Sequence, residues 1–240
     1  MTAIATEPGR QASPARKARI GGVCWLLCFL TSLFPLIVSS RLVIPRDAAT
    51  TAANLLANEG LFRLGTAALL LSTAFYVGAT LFVYEVLKPA NRSISLLAAF
   101  FSLVGCAVGA LSCIFDLAPF ILLKGTPYLA AFTTEQLQGV SYAILALRVQ
   151  ANDTGLFFFG LHCLGVGYLV LRSTFMPPVI GALMLFAGLG WLTFLFPPVA
   201  HGLAPFNLLP GGIGELSLSL WLIIKGVRAE SWHAQALAAG

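Results

Sequence analysis

Residues 93–115 read SISLLAAFFSLVGCAVGALSCIF, a stretch without a single charged side chain. As an α-helix rising about 1.5 Å per residue, this stretch would be about 34 Å long. The hydrocarbon core of a bilayer is about 30 Å thick, so one such helix can cross it. The stretch therefore predicts a membrane-spanning helix.

Similar uncharged apolar runs recur along the chain, which has 240 residues, 58% of them hydrophobic and 10% charged. Its mean hydropathy is +0.90, which is not a water-soluble composition. We predict an all-α polytopic membrane bundle with a membrane domain over residues 20–227. The six predicted spans are 20–40, 62–86, 93–119, 154–172, 178–197 and 211–227.

The two ends of the chain are predicted to lie outside this bundle. Residues 1–19 are rich in Ala, Pro and Arg with little apolar periodicity, which predicts a disordered tail. Residues 228–240 are predicted to form a second tail. Nine of the 14 Lys and Arg residues fall on the side of the N-terminus, where six spans also place the C-terminus. Because positively charged loops stay inside, both tails are predicted to be cytoplasmic.

Several functional classes are excluded by composition and motifs. The net charge of +5 is not gathered into a basic face, so no nucleic-acid partner is expected. All five cysteines lie within apolar runs, which indicates packing rather than a disulfide framework. The histidines lack HxxxH or HExxH spacing and no nucleotide-binding motif is present, so we expect neither a metal nor a cofactor.

The predicted outer connections are long enough to carry their own structure. Asp47 is placed to cap a short helix over 48–58, closed by Gly60. Residues 133–136 read TTEQ, a capping box that predicts an outer interfacial helix over about 134–150. A seventh span is the competing interpretation, but its uncharged core, 137–147, is short. Residues 197–210 contain four prolines and are predicted to be an irregular interfacial segment.

Ionisable side chains within or at the ends of spans are the candidates for function, because Asp, Lys or Arg at a helix centre costs about 2.5 to 3.5 kcal/mol. Four such residues are Arg63, Asp116, His162 and Glu215. Counted from the predicted helix ends, all four lie in the outer half of the bundle. If they face one another, they form an outward-opening ligand-binding pocket. The structural alternative is that Arg63 pairs with Glu215 or Asp116, while His162 bonds a neighbouring helix.

Several segments resemble an uncharacterised bacterial family of integral membrane proteins, domain of unknown function 4386. The matching segments are 62–65 (FRLG), 89–93 (PANRS), 158–163 (FFGLHC), 167–169 (GYL) and 214–218 (GELSL). The resemblance covers roughly residues 17–227 and implies a helical protein of the bacterial inner membrane. It carries no established reaction, but Arg63, His162 and Glu215 lie within its motifs.

Three functions compete on this sequence. The leading hypothesis is a non-enzymatic protein of the lipid bilayer whose outer pocket binds or transports a small molecule, ion or lipid. The alternative is a membrane-embedded enzyme that uses His162 with Asp116 or Glu215 as an acid and base pair. The third is a structural or regulatory subunit whose spans bury a partner. No pattern in the sequence specifies the ligand or the oligomeric state.

Overall fold

A computed structural model describes residues 13–238, apart from the side chains of Pro197 and His201. Within this range the chain forms α-helices joined by short connections and contains no strand. The helices are α1 (Pro14–Leu42), α2 (Ala48–Ala57), α3 (Glu59–Leu87), α4 (Arg92–Leu123), α5 (Thr134–Arg172), α6 (Pro178–Leu192), α7 (Pro197–Leu203), α8 (Leu208–Ile224) and α9 (Ala229–Ala238). The predicted all-α class is confirmed.

Five helices, α1, α3, α4, α5 and α6 with the turn that follows it, are long and apolar enough to cross a membrane. The sixth apolar helix, α8, has 17 residues and is about 25 Å long. It meets α9 at 106°. The predicted polytopic bundle is therefore confirmed, with α6 and α8 as its shortest helices.

The six apolar helices form a closed ring. Each packs against the next in the order α1, α3, α4, α5, α6 and α8, and α8 packs back against α1. The described chain begins and finishes at one end of this ring, where Lys17 Nζ contacts Glu85 Oε2 at 2.6 Å. We call this the terminal end. The opposite end, which carries α2 and α7, is the distal end.

Two of the predicted helix starts have the expected caps. The Asp47 carboxylate accepts a hydrogen bond from the Thr50 backbone N–H at 2.9 Å, and α2 begins at the next residue. The bonds from Thr50 hold the pKa of the Asp47 carboxyl below its usual range. Thr133 and Gln136 form the predicted reciprocal capping box at the start of α5. The sequence therefore fixes both of these boundaries locally.

The prediction of a separate interfacial helix over 134–150 is wrong. Residues 134–172 form one helix, α5, which is about 58 Å long. No proline or glycine pair interrupts residues 150–154, so Asp153 lies inside the helix instead of capping a new one. The predicted depth of His162 was counted from residue 155. Because α5 starts at Thr134, residue 155 does not mark an end of the helix.

Three segments that were predicted to lie outside the membrane spans also contain helix. Ser13 caps α1 through its contact with the Arg16 backbone N–H, so residues 14–19 are helical, whereas residues 1–12 lie outside the described range. Proline at the first positions is compatible with helix, and α7 accordingly begins at Pro197. Residues 229–238 form α9, which the Trp232 indole anchors by donating to the Val86 carbonyl at 2.8 Å. Residues 239–240 of the predicted second tail lie outside the described range.

Glycines bring α5 and α6 into backbone contact. Gly160 faces Gly188, and Gly167 faces Gly181, so the two helices meet without intervening side chains. A Cβ added at Gly167 would lie 2.8 Å from the Gly181 oxygen and from the Leu185 nitrogen. Both are backbone atoms, so relief requires the helices to separate. Small residues of this kind are typical of close helix packing in membranes.

The α5–α6 contact can be tested by adding one methyl group. Gly167→Ala should destabilise the protein by about 1 to 3 kcal/mol, since the new Cβ would displace backbone. The matched control is Gly139→Ala on the same helix, because a Cβ there meets nothing within 4 Å. Thermal unfolding in detergent compares the two. Equal unfolding midpoints for both variants would contradict the close packing.

Candidate functional site

Glu215 lies inside the ring and is 4% exposed. Its Oε2 accepts hydrogen bonds from Trp25 Nε1 at 2.9 Å and from the Tyr76 hydroxyl at 3.4 Å. Its Oε1 accepts from Trp191 Nε1 at 2.6 Å and from the Cys163 thiol at 3.8 Å. Side chains from α1, α3, α5 and α6 thus converge on one carboxylate of α8.

All four of these donors are uncharged groups. In the described part of the chain, no lysine or arginine forms an ion pair with Glu215. The hydrogen bonds satisfy the carboxylate oxygens, but they supply no balancing positive charge. Two of the four hydrogen bonds, those from Tyr76 and Cys163, are long. A donor brought by a ligand can replace these two at the least cost.

A cavity of about 210 Å³ reaches Glu215 from the distal side. Every helix of the ring contributes to its wall, with Cys28 on α1, Ser72 on α3, Gly105 on α4, Asn152 on α5, Trp191 on α6 and Glu215 on α8. Aromatic side chains cover much of the remaining wall, among them Phe29, Tyr76 and Phe159. A mostly apolar pocket with a few convergent polar groups is the usual form of a small-molecule site.

His162 is 1% exposed and lies beside Trp25 and Tyr76, two of the donors to Glu215. Its ring packs 5.9 Å from Trp25 and 6.0 Å from Tyr76, measured between ring centroids. Its Nδ1 lies 2.9 Å from the Ala98 carbonyl oxygen, which can only accept, so Nδ1 carries the proton. Nε2 is buried and has no hydrogen-bond partner among the described residues.

Asp116 lies at the distal end and pairs with Arg148 of α5. The Arg148 Nε and Asp116 Oδ1 atoms are 2.7 Å apart, an ion-pair contact that lacks the alignment of a hydrogen bond. The two side chains are 21% and 5% exposed. The pair joins α4 to α5, and Arg148 also lines a separate cavity between α1 and α5.

Arg63 has no part in the cavity. It pairs with Glu59 one helical turn away, at 2.8 Å, and its side chain is 48% exposed. Lys124 contacts the same Glu59 carboxylate, also at 2.8 Å. Neither predicted partner of Arg63, Glu215 or Asp116, contacts it. An exposed network of this kind contributes little to stability.

The four predicted residues therefore do not form one pocket. Asp116 follows Ala98, the partner of His162, by 18 residues, which corresponds to about 27 Å along α4. His162 lies ten residues before the end of α5, about 15 Å from the terminal end of that helix. Glu215 lies nine residues before the end of α8, about 14 Å from its terminal end and close to mid-bundle.

Four donors and one cation of the site were not among the predicted residues. The donors are Trp25, Tyr76, Cys163 and Trp191, and the cation is Arg148. Indole and phenol groups inside an apolar span need hydrogen-bond partners, which is the signal that could have linked them to Glu215. The partner of Asp116 was missed because residues 134–150 were placed on the membrane surface.

A ring of apolar helices around a buried carboxylate and a cavity is the architecture of a polytopic membrane bundle. The chain belongs to the family described as domain of unknown function (DUF4386), whose model matches residues 20–226. An uncharacterised protein from Archaeoglobus fulgidus is 31% identical to it over 151 residues, covering 60% of this chain and 72% of the relative. No solved structure matches the chain.

The Asp116–Arg148 pair gives a testable consequence for stability. Arg148→Met should lower the free energy of unfolding by about 3 kcal/mol, because it leaves a buried carboxylate without its partner. The double variant with Asp116→Leu should recover most of that loss, since no charge then remains buried. Thermal unfolding in detergent measures both. A single variant as stable as the parent would show that the pair is not energetically coupled.

Proposed function

We propose that this protein binds a small organic cation, an amine with an apolar body, in the central cavity with Glu215 as its counter-charge. The observation that carries the proposal is the buried Glu215 carboxylate, which faces a cavity and is held by neutral donors. An ionised carboxylate in a low-dielectric interior is costly without a positive partner. A ligand ammonium supplies that charge.

The wall of the cavity fits the same ligand class. Tyr76, Phe159 and Trp191 present aromatic rings beside Glu215. Aromatic faces attract ammonium groups, with about 0.5 to 2 kcal/mol per contact depending on desolvation. The long bonds from Tyr76 and Cys163 leave room for a ligand N–H at the carboxylate. Neutral apolar ligands would use the wall but not the charge.

The proposal places the protein in a bacterial inner membrane, with the terminal end in the cytoplasm and the distal end outside. The support is the charge distribution, because eight of the 13 Lys and Arg residues in the described range lie at the terminal end. Lys17 and Lys88 lie at that end, where both contact Glu85. The cavity then lies on the outer side of Glu215.

A catalytic role for His162 with Asp116 has no geometric support, since about 27 Å separates them along α4. His162 and Glu215 share Trp25 and Tyr76 as neighbours, but no hydrogen bond joins them in the described structure. General acid and base catalysis requires each catalytic group to lie within hydrogen-bond distance of the proton that it transfers, directly or through one water molecule. We therefore favour binding over catalysis.

Charge recognition at Glu215 can be tested with two probes of equal chain length, n-octylamine and n-octanol. The amine should stabilise the purified protein against thermal unfolding more than the alcohol does, because only the amine is positively charged. Glu215→Gln should remove this difference and weaken amine binding at least tenfold, about 1.4 kcal/mol. The matched control, Glu135→Gln, changes an exposed carboxyl at the start of α5 and should have no effect.

A second variant keeps the test decisive if Glu215→Gln fails to fold. Gly109 lines the cavity, and a Cβ there meets nothing within 4 Å. Gly109→Leu should fill the cavity and abolish amine binding while the protein stays folded, whereas Gly139→Leu on the exposed part of α5 should bind normally. If octanol and octylamine stabilise the parent equally, the proposal of a cation site is rejected.

A further inference from the structure

The cavity is closed along the bundle axis on the distal side. A second apolar cluster lies there, made of Val38, Leu42, Leu55, Phe62, Phe120 and Leu145. Leu55 of α2 is fully buried within it, at 0% exposure. The Arg46 backbone N–H donates to the Tyr142 hydroxyl at 2.7 Å, which ties the segment before α2 to α5. We call this cluster the distal plug, and it lies between the central cavity and the distal end of the bundle.

The ring has an opening at its side instead. α6 has 15 residues and is about 22 Å long, and α8 is little longer, whereas α5 extends for about 58 Å. In the distal half, α6 and α8 therefore no longer fill the gap between α5 and α1. Helices α1 and α5 do not pack against each other as neighbours in the ring do.

A second cavity of about 520 Å³ occupies this gap, and we call it the α1–α5 window. Its walls include Leu36 and Ser39 on α1, and Val149 on α5. Ser32, Leu69 and Asn152 line both the window and the central cavity, so the two spaces adjoin. The window and the central cavity together therefore extend from the side of the bundle to Glu215, with these three residues at their boundary.

The window lies at the depth of the lipid. Ser32 and Ser39 follow Arg19, the last charge of α1 before its apolar run, by 13 and 20 residues, about 20 and 30 Å. These depths correspond to the outer half of a hydrocarbon core about 30 Å thick. Most of the rim is apolar, with Leu36 62% exposed and Val149 52% exposed. Arg148 also lines the window, but its charge is paired with Asp116. A surface of this kind at this depth contacts acyl chains rather than water.

We propose that the ligand reaches Glu215 sideways from the outer lipid leaflet through the α1–α5 window, and that it is a single-chain amphiphile with an amine head group and an alkyl tail. This inference rests on the proposed function of Glu215 as the counter-charge. The head enters the central cavity and the tail stays in the window among the lipids. Together the two spaces reach the size of ligand pockets, roughly 300 to 1,000 Å³.

The test uses the full chain in lipid nanodiscs and a 12-carbon primary alkylamine with a photoreactive diazirine at the tail end. With the amine at Glu215, irradiation should label residues of the window, with Leu36 and Val149 as the expected sites. Glu215→Gln should remove this labelling. Peptide mass spectrometry locates the adducts.

A blocking variant tests the route itself. Ser39→Trp should fill the window and slow association of the amine at least tenfold, as followed by the rate of labelling. Ile37→Trp is the matched control, because Ile37 is 50% exposed on the same helix and does not line the window. It should leave the rate unchanged.

The outcomes separate the two proposals. Labelling in the window, lost with Glu215→Gln and slowed by Ser39→Trp, supports lateral entry. Glu215-dependent stabilisation by the amine, with labels on α2 or α7 and a normal rate in Ser39→Trp, overturns lateral entry and leaves the cation site intact. Amine binding that does not depend on Glu215 rejects both.

Discussion

A single carboxylate in the middle of an apolar bundle is the constraint on which the structure depends. Glu215 can be buried because indole, phenol and thiol groups from α1, α3, α5 and α6 point at its two oxygens. Each of these donors is itself polar and costly to bury alone, so the group is stable only as a set. This mutual dependence fixes the relative depth and rotation of five helices in the ring.

Close backbone packing makes that convergence geometrically feasible. On one side of α8, Gly214 packs directly against the Leu183 carbonyl of α6, where an added Cβ would clash. On the other side, the Ser219 hydroxyl donates to the Gly22 carbonyl of α1 at 3.0 Å. These contacts bring the short α8 deep between its neighbours. The same shortness leaves α1 and α5 unbridged in the distal half, so the fold that holds Glu215 also creates the side opening.

Most of the fold was predicted from the composition of the chain and from the thickness of a lipid bilayer. Uncharged runs of bilayer length located the spans, and local capping residues such as Asp47 and Thr133 located helix starts. The site was predicted only in part. Glu215 and Asp116 are buried as their span positions suggested, but Arg63 is exposed beside Glu59. The predicted depths of residues along α5 depended on where that helix begins. Trp25, the partner of Glu215, and Arg148, the partner of Asp116, are brought into place by tertiary packing, which no local pattern encodes.

The most direct measurement is an experimental structure of the protein in lipid nanodiscs. The account predicts six helices around Glu215, with both indoles bonded to its carboxylate and an elongated density that extends from Glu215 between α1 and α5 into the lipid. A lysine or arginine paired with Glu215, or a central cavity occupied by side chains, would contradict it.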